Sequence, residues 1–537
     1  MEIRLLSTLA KVMSDKIYGG FSSGELTMLS NLPDAFIASV NPDSDGKISL
    51  SVESSLKTEI FFEKKVFVGR TKPDDADDYY VGGGKSGYYP DALIKTCECD
   101  GKRGEWSSFR IEIIPDGRTG DFPVKVTVKN GILKASVNET VHILPGKYPE
   151  QSLICTHWFH TDCLALTYKT EVFSEKYWTL VSNYMKTAAS NGINSVLTPL
   201  FTPPLDTEKG GERLTVQLVS VTVNSKGKYK FGFDNLKKWI DTADSAGIKY
   251  FEFSHLYTQW GAKHAPKIIA KTKDGEKRIF GWETKSTSKK YRDFLEQFAR
   301  ALKIKLRQWK TEDRVIFHVS DEPNGAQIRK YKKAADEIKK LFGEYKIIDA
   351  CSEIKYYEKG VIKNPVPSIA SIEDFYGKVP ELWTYYCCGP GNDYLPNRFI
   401  AMPNLRIRII GMIMFRYDVK GFLHWGYNYW FTQLSKELVN PYEQTDSGGK
   451  FPGGDGFVVY PGDNCEPTES VRLKVFADAV RDYELLREIE RKKSREEALK
   501  YLTYDGQLIS NKNYPHSEEW FIKTRNKMME DLSNEIH

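Results

Sequence analysis

The feature that most constrains this chain is a change of texture at Pro145. Beyond it, eight short apolar bursts recur: L-I-C-T-H-W (153–158), N-S-V-L-T (194–198), Y-F-E-F-S (250–254), V-I-F-H-V-S (315–320), K-I-I-D-A (346–350), P-S-I-A (367–370), L-W-T-Y-Y (382–386) and G-F-L-H-W (421–425). Amphipathic stretches with helical spacing lie between them at 175–190, 233–246, 288–307, 326–342 and 402–416. Repeated β-then-α units over about 300 residues predict an α/β fold, a (β/α)8 TIM-like barrel, with an open doubly wound sheet as the competing architecture.

Residues 30 to 145 read differently. Runs such as K-I-S-L-S-V-E, F-R-I-E-I-I and F-P-V-K-V-T-V alternate with period two and are punctuated by Gly, Pro, Asn and Asp. That pattern predicts an N-terminal β-sandwich domain. The stretch 211–232 has strand character and predicts a hairpin on the catalytic face of the barrel. After Glu469 the chain is strongly helical. The expected organisation is a sandwich over 1–148, a catalytic barrel over 149–490 and a C-terminal helical extension over 491–537.

Composition narrows the function classes. The 537 residues carry 77 Lys+Arg against 72 Asp+Glu, a net charge of +5 with no concentrated basic stripe, which argues against nucleic acid as a partner. The run Arg487 to Arg495 is interleaved with Glu488 and Glu490 and reads as a solvated helix face. Eight Cys in such a length form neither a disulfide scaffold nor a zinc signature, and point to a reducing compartment. No run of 18 apolar residues exists, so membrane insertion is not expected. M-E-I-R-L-L-S-T-L-A-K-V is too short and interrupted for a signal peptide, so the expected location is cytoplasmic.

Three motifs resemble chemistry without completing it. G-G-G-K-S (82–86) lacks the first glycine of a phosphate loop, since Tyr79 occupies that place, and it sits in the β-rich region. N-P-D-S-D-G-K-I (41–48) starts like a calcium loop, but its twelfth position is Val52; Asp-Gly here makes a turn between strands. His157, His160 and Cys163 have metal-like spacing with no distant pair to complete a site, so no metal or cofactor is expected.

The segment V-I-F-H-V-S-D-E-P-N (315–324) carries the chemistry. An apolar strand runs into Asp321 and Glu322, then Pro323. In a barrel the C-terminal strand ends face the active site. Neighbouring like charges push one pKa up, and the expected division of labour is a raised pKa on Glu322 with Asp321 left ionised. The competing reading is acidic residues at a helix N-terminus. Aromatics cluster at the predicted strand ends: Trp158, Phe159, Tyr257, Trp260, Trp383, Tyr385, Tyr386, Trp425, Tyr427, Tyr429 and Trp430. They supply apolar faces for sugar rings.

A direct-displacement retaining glycosidase needs two carboxyls, usually from separate strands. One adjacent Asp-Glu pair fits substrate assistance better. There, the acetamido carbonyl of an N-acetyl sugar attacks the anomeric carbon, Asp321 orients the acetamido group and stabilises the oxazolinium-like intermediate, and Glu322 acts as acid, then base.

The segments H-V-S-D-E-P (318–323), L-W-T-Y-Y-C-C-G-P (382–390), R-I-I-G-M-I-M-F-R-Y-D-V-K-G-F-L-H-W-G-Y-N-Y-W (408–430), G-D-G-F-V-V-Y-P-G (454–462) and S-V-R-L-K-V-F-A-D-A-V-R-D-Y-E-L-L (470–486) resemble glycoside hydrolase family 123, the β-N-acetylgalactosaminidases of clostridial and Bacteroides type. The resemblance covers most of 150–490. It implies a retaining exo-glycosidase that removes non-reducing terminal β-linked GalNAc from oligosaccharides and glycosphingolipid-type glycans, with Asp321 and Glu322 in the two catalytic roles. It further implies Trp425, Asn428, Tyr386 and Tyr460 as sugar-site lining, with Tyr427, His157 and His255 as additional candidates. Two alternatives stay open: another β-N-acetylhexosaminidase or a two-carboxylate glycosidase, using Glu252 or Asp418 as the second carboxylate, and a non-catalytic glycan-binding protein.

Overall fold

The computed structural model describes residues 1–22, 24–323 and 328–534. Two five-stranded sheets form the N-terminal β-sandwich. One has the spatial order Glu2–Leu6, Asp34–Asn41, Ser107–Ile114, Lys57–Val68, Gly87–Ile94; the other Glu25–Leu29, Leu133–Leu144, Gly120–Asn130, Gly46–Ser54, Glu98–Gly101. Period two does the sorting. Val124, Val126 and Val128 enter the core with Phe109, Ile111 and Ile113, while Lys125 and Lys129 stay exposed. The sandwich also recruits residues before the predicted start at 30, because Glu2–Leu6 pairs antiparallel with Asp34–Asn41.

The phosphate-loop-like and calcium-loop-like motifs are both turns. The GGGKS segment is a single short turn in which Gly82, Gly83 and Gly84 all have positive φ. Residues 42–45 connect two sandwich strands, with Asp45 accepting a hydrogen bond from the Arg103 N–H.

The second body is a curled, TIM-like parallel sheet. We label its strands β1 (Ile154–His157), β2 (Ser195–Thr198), β3 (Tyr250–Phe253), β4 (Val315–Phe317), β5 (Lys346–Ile347), β6 (Pro365–Val366), β7 (Trp383–Tyr385) and β8 (Gly421–His424). All eight apolar bursts lie at or beside these strands. Among the described residues the continuous ladder holds seven of them, in the order β5-β4-β3-β2-β1-β8-β7. The circuit between its edges runs through β6, which pairs with Asp349–Ala350 just beyond β5 and touches β7 by one parallel bridge, Ser368 to Tyr385. This is the weak point of the ring for a chemical reason. P-V-P (365–367) offers only one amide N–H over three residues, so a regular ladder cannot form.

Helices Glu175–Ser190, Asp234–Ala246, Lys289–Trp309 and Ile328–Phe342 lie between the strands, matching the predicted stretches. Asn324 of the predicted dyad segment and residues 326–327 of the predicted fourth helix lie outside the described residues. The predicted helix at 402–416 is split into Asn404–Arg408 and Ile410–Arg416. Both pieces are buried, and both pack on the long helix Val471–Lys492. A Cβ on Gly411 would lie 1.9 Å from the Ala479 carbonyl oxygen, so only glycine permits that crossing. Helices Arg495–Lys500 and Glu518–Ser533 follow.

The predicted hairpin at 211–232 forms as Ser220–Val223 with Tyr229–Gly232. It joins Ile268–Thr272 and Gly275–Phe280 in a four-stranded sheet packed by Phe231 and Phe280 on Phe294 of the neighbouring helix. No part of the hairpin lines the cleft described below.

Sandwich and barrel are joined by buried charge. Arg472 makes two 2.9 Å hydrogen bonds to Asp91, both side chains being fully buried. The Lys11 ammonium donates to the carbonyls of Ile400 and Met402, and burial lowers its pKa to about 7.

Candidate active site

The strand ends converge on a cleft of about 240 Å³. It is lined by Trp158 after β1, Asp206 after β2, Gln259 and Trp260 after β3, Asp321 and Glu322 after β4, Ala350 after β5, Tyr385, Cys387 and Cys388 from β7 onward, and Leu423 and Trp425 at β8, with Gln433, Leu434 and Phe451 on the rim.

Two adjacent carboxylates enter one pocket because the strand stops early. Regular β4 ends at Phe317, and by Glu322 the backbone has turned to φ +41°, in the left-handed region. A non-glycine residue pays about 1–3 kcal/mol for such a conformation and holds it only where the surroundings enforce it. Here the Glu322 N–H donates to the Ala350 carbonyl at 3.2 Å, and the Trp260 N–H donates to the Asp321 carbonyl at 3.1 Å.

The two side chains have different environments. Asp321 is buried, and its Oδ2 accepts a 2.7 Å hydrogen bond from Gln259 Nε2. Glu322 is exposed to the cleft, and its Oε1 accepts a 2.7 Å hydrogen bond from the Tyr385 hydroxyl. Burial, reinforced by the Glu322 charge, pushes the Asp321 carboxyl well above the usual carboxylate range. The sequence reading placed the raised pKa on Glu322 and left Asp321 ionised. In the structure Asp321 is the buried member of the pair, and it is the Asp321 carboxylate whose ionisation burial penalises.

A charged network lies directly beneath. His318 Nε2 and Glu252 Oε1 are 2.6 Å apart, and His318 Nδ1 is 3.6 Å from Asp349. Burial opposes protonation of His318, but the two carboxylates outweigh it and raise its pKa to about 10. Glu252 also accepts from Trp158 Nε1 at 2.7 Å and from the Thr156 hydroxyl. Fully buried and fully occupied, it does not reach the cleft as the second carboxylate considered above. Asp418 does not either. It precedes β8, at the end of the strand away from the cleft, and is ion-paired with Lys420 and Arg487. The carboxylate that does join the dyad in the lining is Asp206, whose Oδ2 accepts from the Tyr429 hydroxyl and, at 2.9 Å, from the Leu434 N–H.

Trp425 lines the cleft as expected, its indole held by a 3.1 Å hydrogen bond to Asp455. The other expected lining residues do not. Tyr386 is fully buried behind the wall against Phe422 and His424, because neighbouring residues on a strand point to opposite sides and Tyr385 takes the cleft side. Tyr460 donates to Asp91 in the seam with the sandwich. Tyr427 donates to the Tyr184 carbonyl. Asn428 is a staple, bonded through both amide atoms to the His160 backbone. His157 faces Arg398 at 2.6 Å, and His255 stacks on His318 with ring centroids 4.2 Å apart. His160 sits between Arg213 and the Trp425 carbonyl, so the H-x-x-H-x-x-C spacing serves packing and hydrogen bonding. Gln259, Asp206, Cys387, Cys388 and Phe451 were missed. Gln259 had a usable signal, standing a few residues past a strand end in H-L-Y-T-Q-W; Phe451 had none, since its loop is far from β8 in sequence.

The model of the glycoside hydrolase 123 catalytic domain matches residues 158–489, more than half of the chain. The protein belongs to glycoside hydrolase family 123. It is therefore a carbohydrate-active enzyme with a catalytic glycoside hydrolase domain. A family 123 glycoside hydrolase from Clostridium perfringens, described for glycolipid glycan hydrolysis, is 14% identical and superposes with a TM-score of 0.74 over 100% of this chain and 98% of that one. At that identity the likeness speaks for the fold. A Bacteroides ovatus GH5 xyloglucanase (9% identity, 86% and 99% coverage, TM-score 0.30) and a Parabacteroides merdae β-glucuronidase (10%, 85% and 50%, TM-score 0.30) are far more distant. No curated protein matches the chain in sequence. In this family 123 member no described helix is long and apolar enough to cross a membrane.

Proposed function

We propose that the enzyme is a retaining exo-β-N-acetylgalactosaminidase that works by substrate assistance. The observation that carries this reading is the asymmetry of the dyad: Asp321 buried and clamped by Gln259, Glu322 open to the cleft and held by Tyr385. The acetamido carbonyl oxygen of the bound sugar attacks the anomeric carbon as the glycosidic bond breaks. Glu322 protonates the departing oxygen, and Asp321 accepts the acetamido N–H and balances the charge of the oxazolinium-like ring. Water, deprotonated by Glu322, then opens that ring, so two inversions retain the configuration. The acetamido N–H joins Gln259 as a further donor to Asp321, which favours the ionised form that burial alone disfavours. Trp158 and Trp425, each with its indole N–H anchored on a buried carboxylate, offer apolar faces to the pyranose. The choice of GalNAc is supported by the family resemblance, and that of glycolipid-type chains also by the glycolipid glycan hydrolysis described for the clostridial relative.

Aryl β-GalNAc, β-GlcNAc and β-Gal should be compared with the native enzyme, Asp321→Asn and Glu322→Gln. The expected result is turnover of β-GalNAc only, lost in Asp321→Asn with all leaving groups. In Glu322→Gln it should be lost mainly with poor leaving groups. Asp206 motivates a second reading, direct displacement by a separate carboxylate. Hydrolysis of β-Gal, abolished in Asp206→Asn and insensitive to a thiazoline inhibitor, would favour that reading and refute the first.

A further inference from the structure

We propose that Cys387 and Cys388 are a redox-responsive dithiol in the cleft wall, closing reversibly into a vicinal disulfide in the presence of a small-molecule disulfide. All eight cysteines are free thiols, and these two differ from the rest in place and in pairing. Both line the cleft, and their sulfurs are 3.9 Å apart. Cys388 is exposed, while Cys387 is half-buried against the cluster that holds Trp158, Tyr385, Leu423 and Trp425. Cys155, Cys163 and Cys351 are buried, Cys97 and Cys99 lie in the sandwich, and Cys465 is half-buried outside the cleft lining.

The chemistry is two successive exchanges. The exposed Cys388 thiolate attacks one sulfur of the external disulfide, displacing the other as a thiolate. The Cys387 thiolate then attacks the Cys388 sulfur of the mixed disulfide and expels the second external thiolate. The two protein thiols are oxidised, the external disulfide is reduced to two thiols, and the protons pass to these products. The order follows from the surroundings: contact with Cys388 and burial push the Cys387 thiol well above its usual range, leaving the exposed partner to react first. Adjacent Cα atoms stand about 3.8 Å apart, short of the roughly 4.4–6.8 Å that disulfides favour. Such a bond is strained and easily reduced, which suits a reversible device rather than a structural staple.

Closure would be felt at the dyad. The Cys387 backbone is pinned, its N–H donating to the Gly389 carbonyl and its carbonyl accepting from Asn397, both at 2.9 Å. Two residues upstream, Tyr385 holds Glu322. A displacement of ~1 Å at a catalytic group costs up to ~100-fold in rate, so a fall of about tenfold or more in kcat/KM is expected on oxidation.

The full-length enzyme should be equilibrated in buffers of increasing glutathione disulfide to glutathione ratio. The peptide spanning Cys387 and Cys388 is then analysed by mass, and aryl β-GalNAc turnover is measured in parallel. The expected result is a peptide lighter by two hydrogens with no retained glutathione, reduced turnover, and recovery of both with dithiothreitol. Cys388→Ser and Cys387→Ser, each normalised to its own reduced form, should lose the redox response. A peptide that stays a dithiol, or stops as a glutathione adduct, overturns the proposal, as does closure without a change in turnover. Only the activity readout rests on the proposed function. No turnover in the fully reduced enzyme would count against that function, and the peptide mass would then decide the dithiol alone.

Discussion

Replacing Gln259 with Leu removes the one side-chain donor that the described residues offer the buried Asp321 carboxylate, while keeping a side chain of similar bulk. A hydrogen bond to a charged group contributes about 1.5–3 kcal/mol and a pKa unit corresponds to about 1.4 kcal/mol, so the Asp321 pKa should rise by a further one to two units, roughly. The direction is set by the donor: Gln259 favours the ionised carboxylate, so its loss moves ionisation to higher pH. If turnover requires ionised Asp321, the acid limb of the kcat/KM profile, which reports the free enzyme, moves up by the same amount. On the native enzyme's acid limb the variant should be slower by about ten- to a hundredfold, and the two should converge at alkaline pH. Gln259 also accepts the Asp206 N–H at 2.5 Å, so some loss from the cleft wall is expected at every pH. A uniform loss with an unmoved acid limb would refute the reasoning, for it would make Gln259 a loop support that does not tune Asp321.

Three further outcomes follow from the same contacts. Because the folded-state pKa of Asp321 is raised, its contribution to stability is lost as pH rises from the unfolded value through the folded one; Asp321→Asn should therefore raise Tm at neutral pH, with a smaller gain in acid, measured by calorimetry. Burial raises the pKa of Asp455 to about 7, against the opposing pull of Arg398 and the Trp425 indole N–H. A tryptophan fluorescence step near that pH is expected, absent in Asp455→Asn and in Trp425→Phe; its persistence in both would refute the assignment. Arg472→Ala leaves Asp91 buried in the seam without its counter-charge, with the Tyr460 hydroxyl still donating to it, and should cost about 3–5 kcal/mol in denaturant unfolding, with the Asp91→Ala/Arg472→Ala pair losing less than the sum of the singles.

Much of the fold was legible because its signals are local. Period-two alternation marked the sandwich strands, and all eight barrel bursts were visible because apolar, parallel strands stand out against amphipathic helices. The two-residue length of β6 was less so, since it depends on what Pro365 and Pro367 withhold from neighbours that are distant in sequence. The dyad was legible for the same local reason, an apolar strand running into adjacent acids and a proline. The rest of the sugar-site list was not. Tyr386 and Tyr385 differ by one residue, and strand parity sends one into the core and the other to Glu322. Asn428 and Tyr460 carry polar groups that suit a sugar equally well, yet those groups are spent on His160 and on Asp91.

The sequence by itself thus determined the fold class, the strand carrying the acids and the family, all of which are written in patterns a few residues long. Only the tertiary structure decided which acid is buried, which aromatic faces the cleft, and that Gln259, Asp206 and the Cys387–Cys388 pair share it. Burial, side-chain direction and the meeting of loops from different strand ends are properties of packing between segments far apart in the chain.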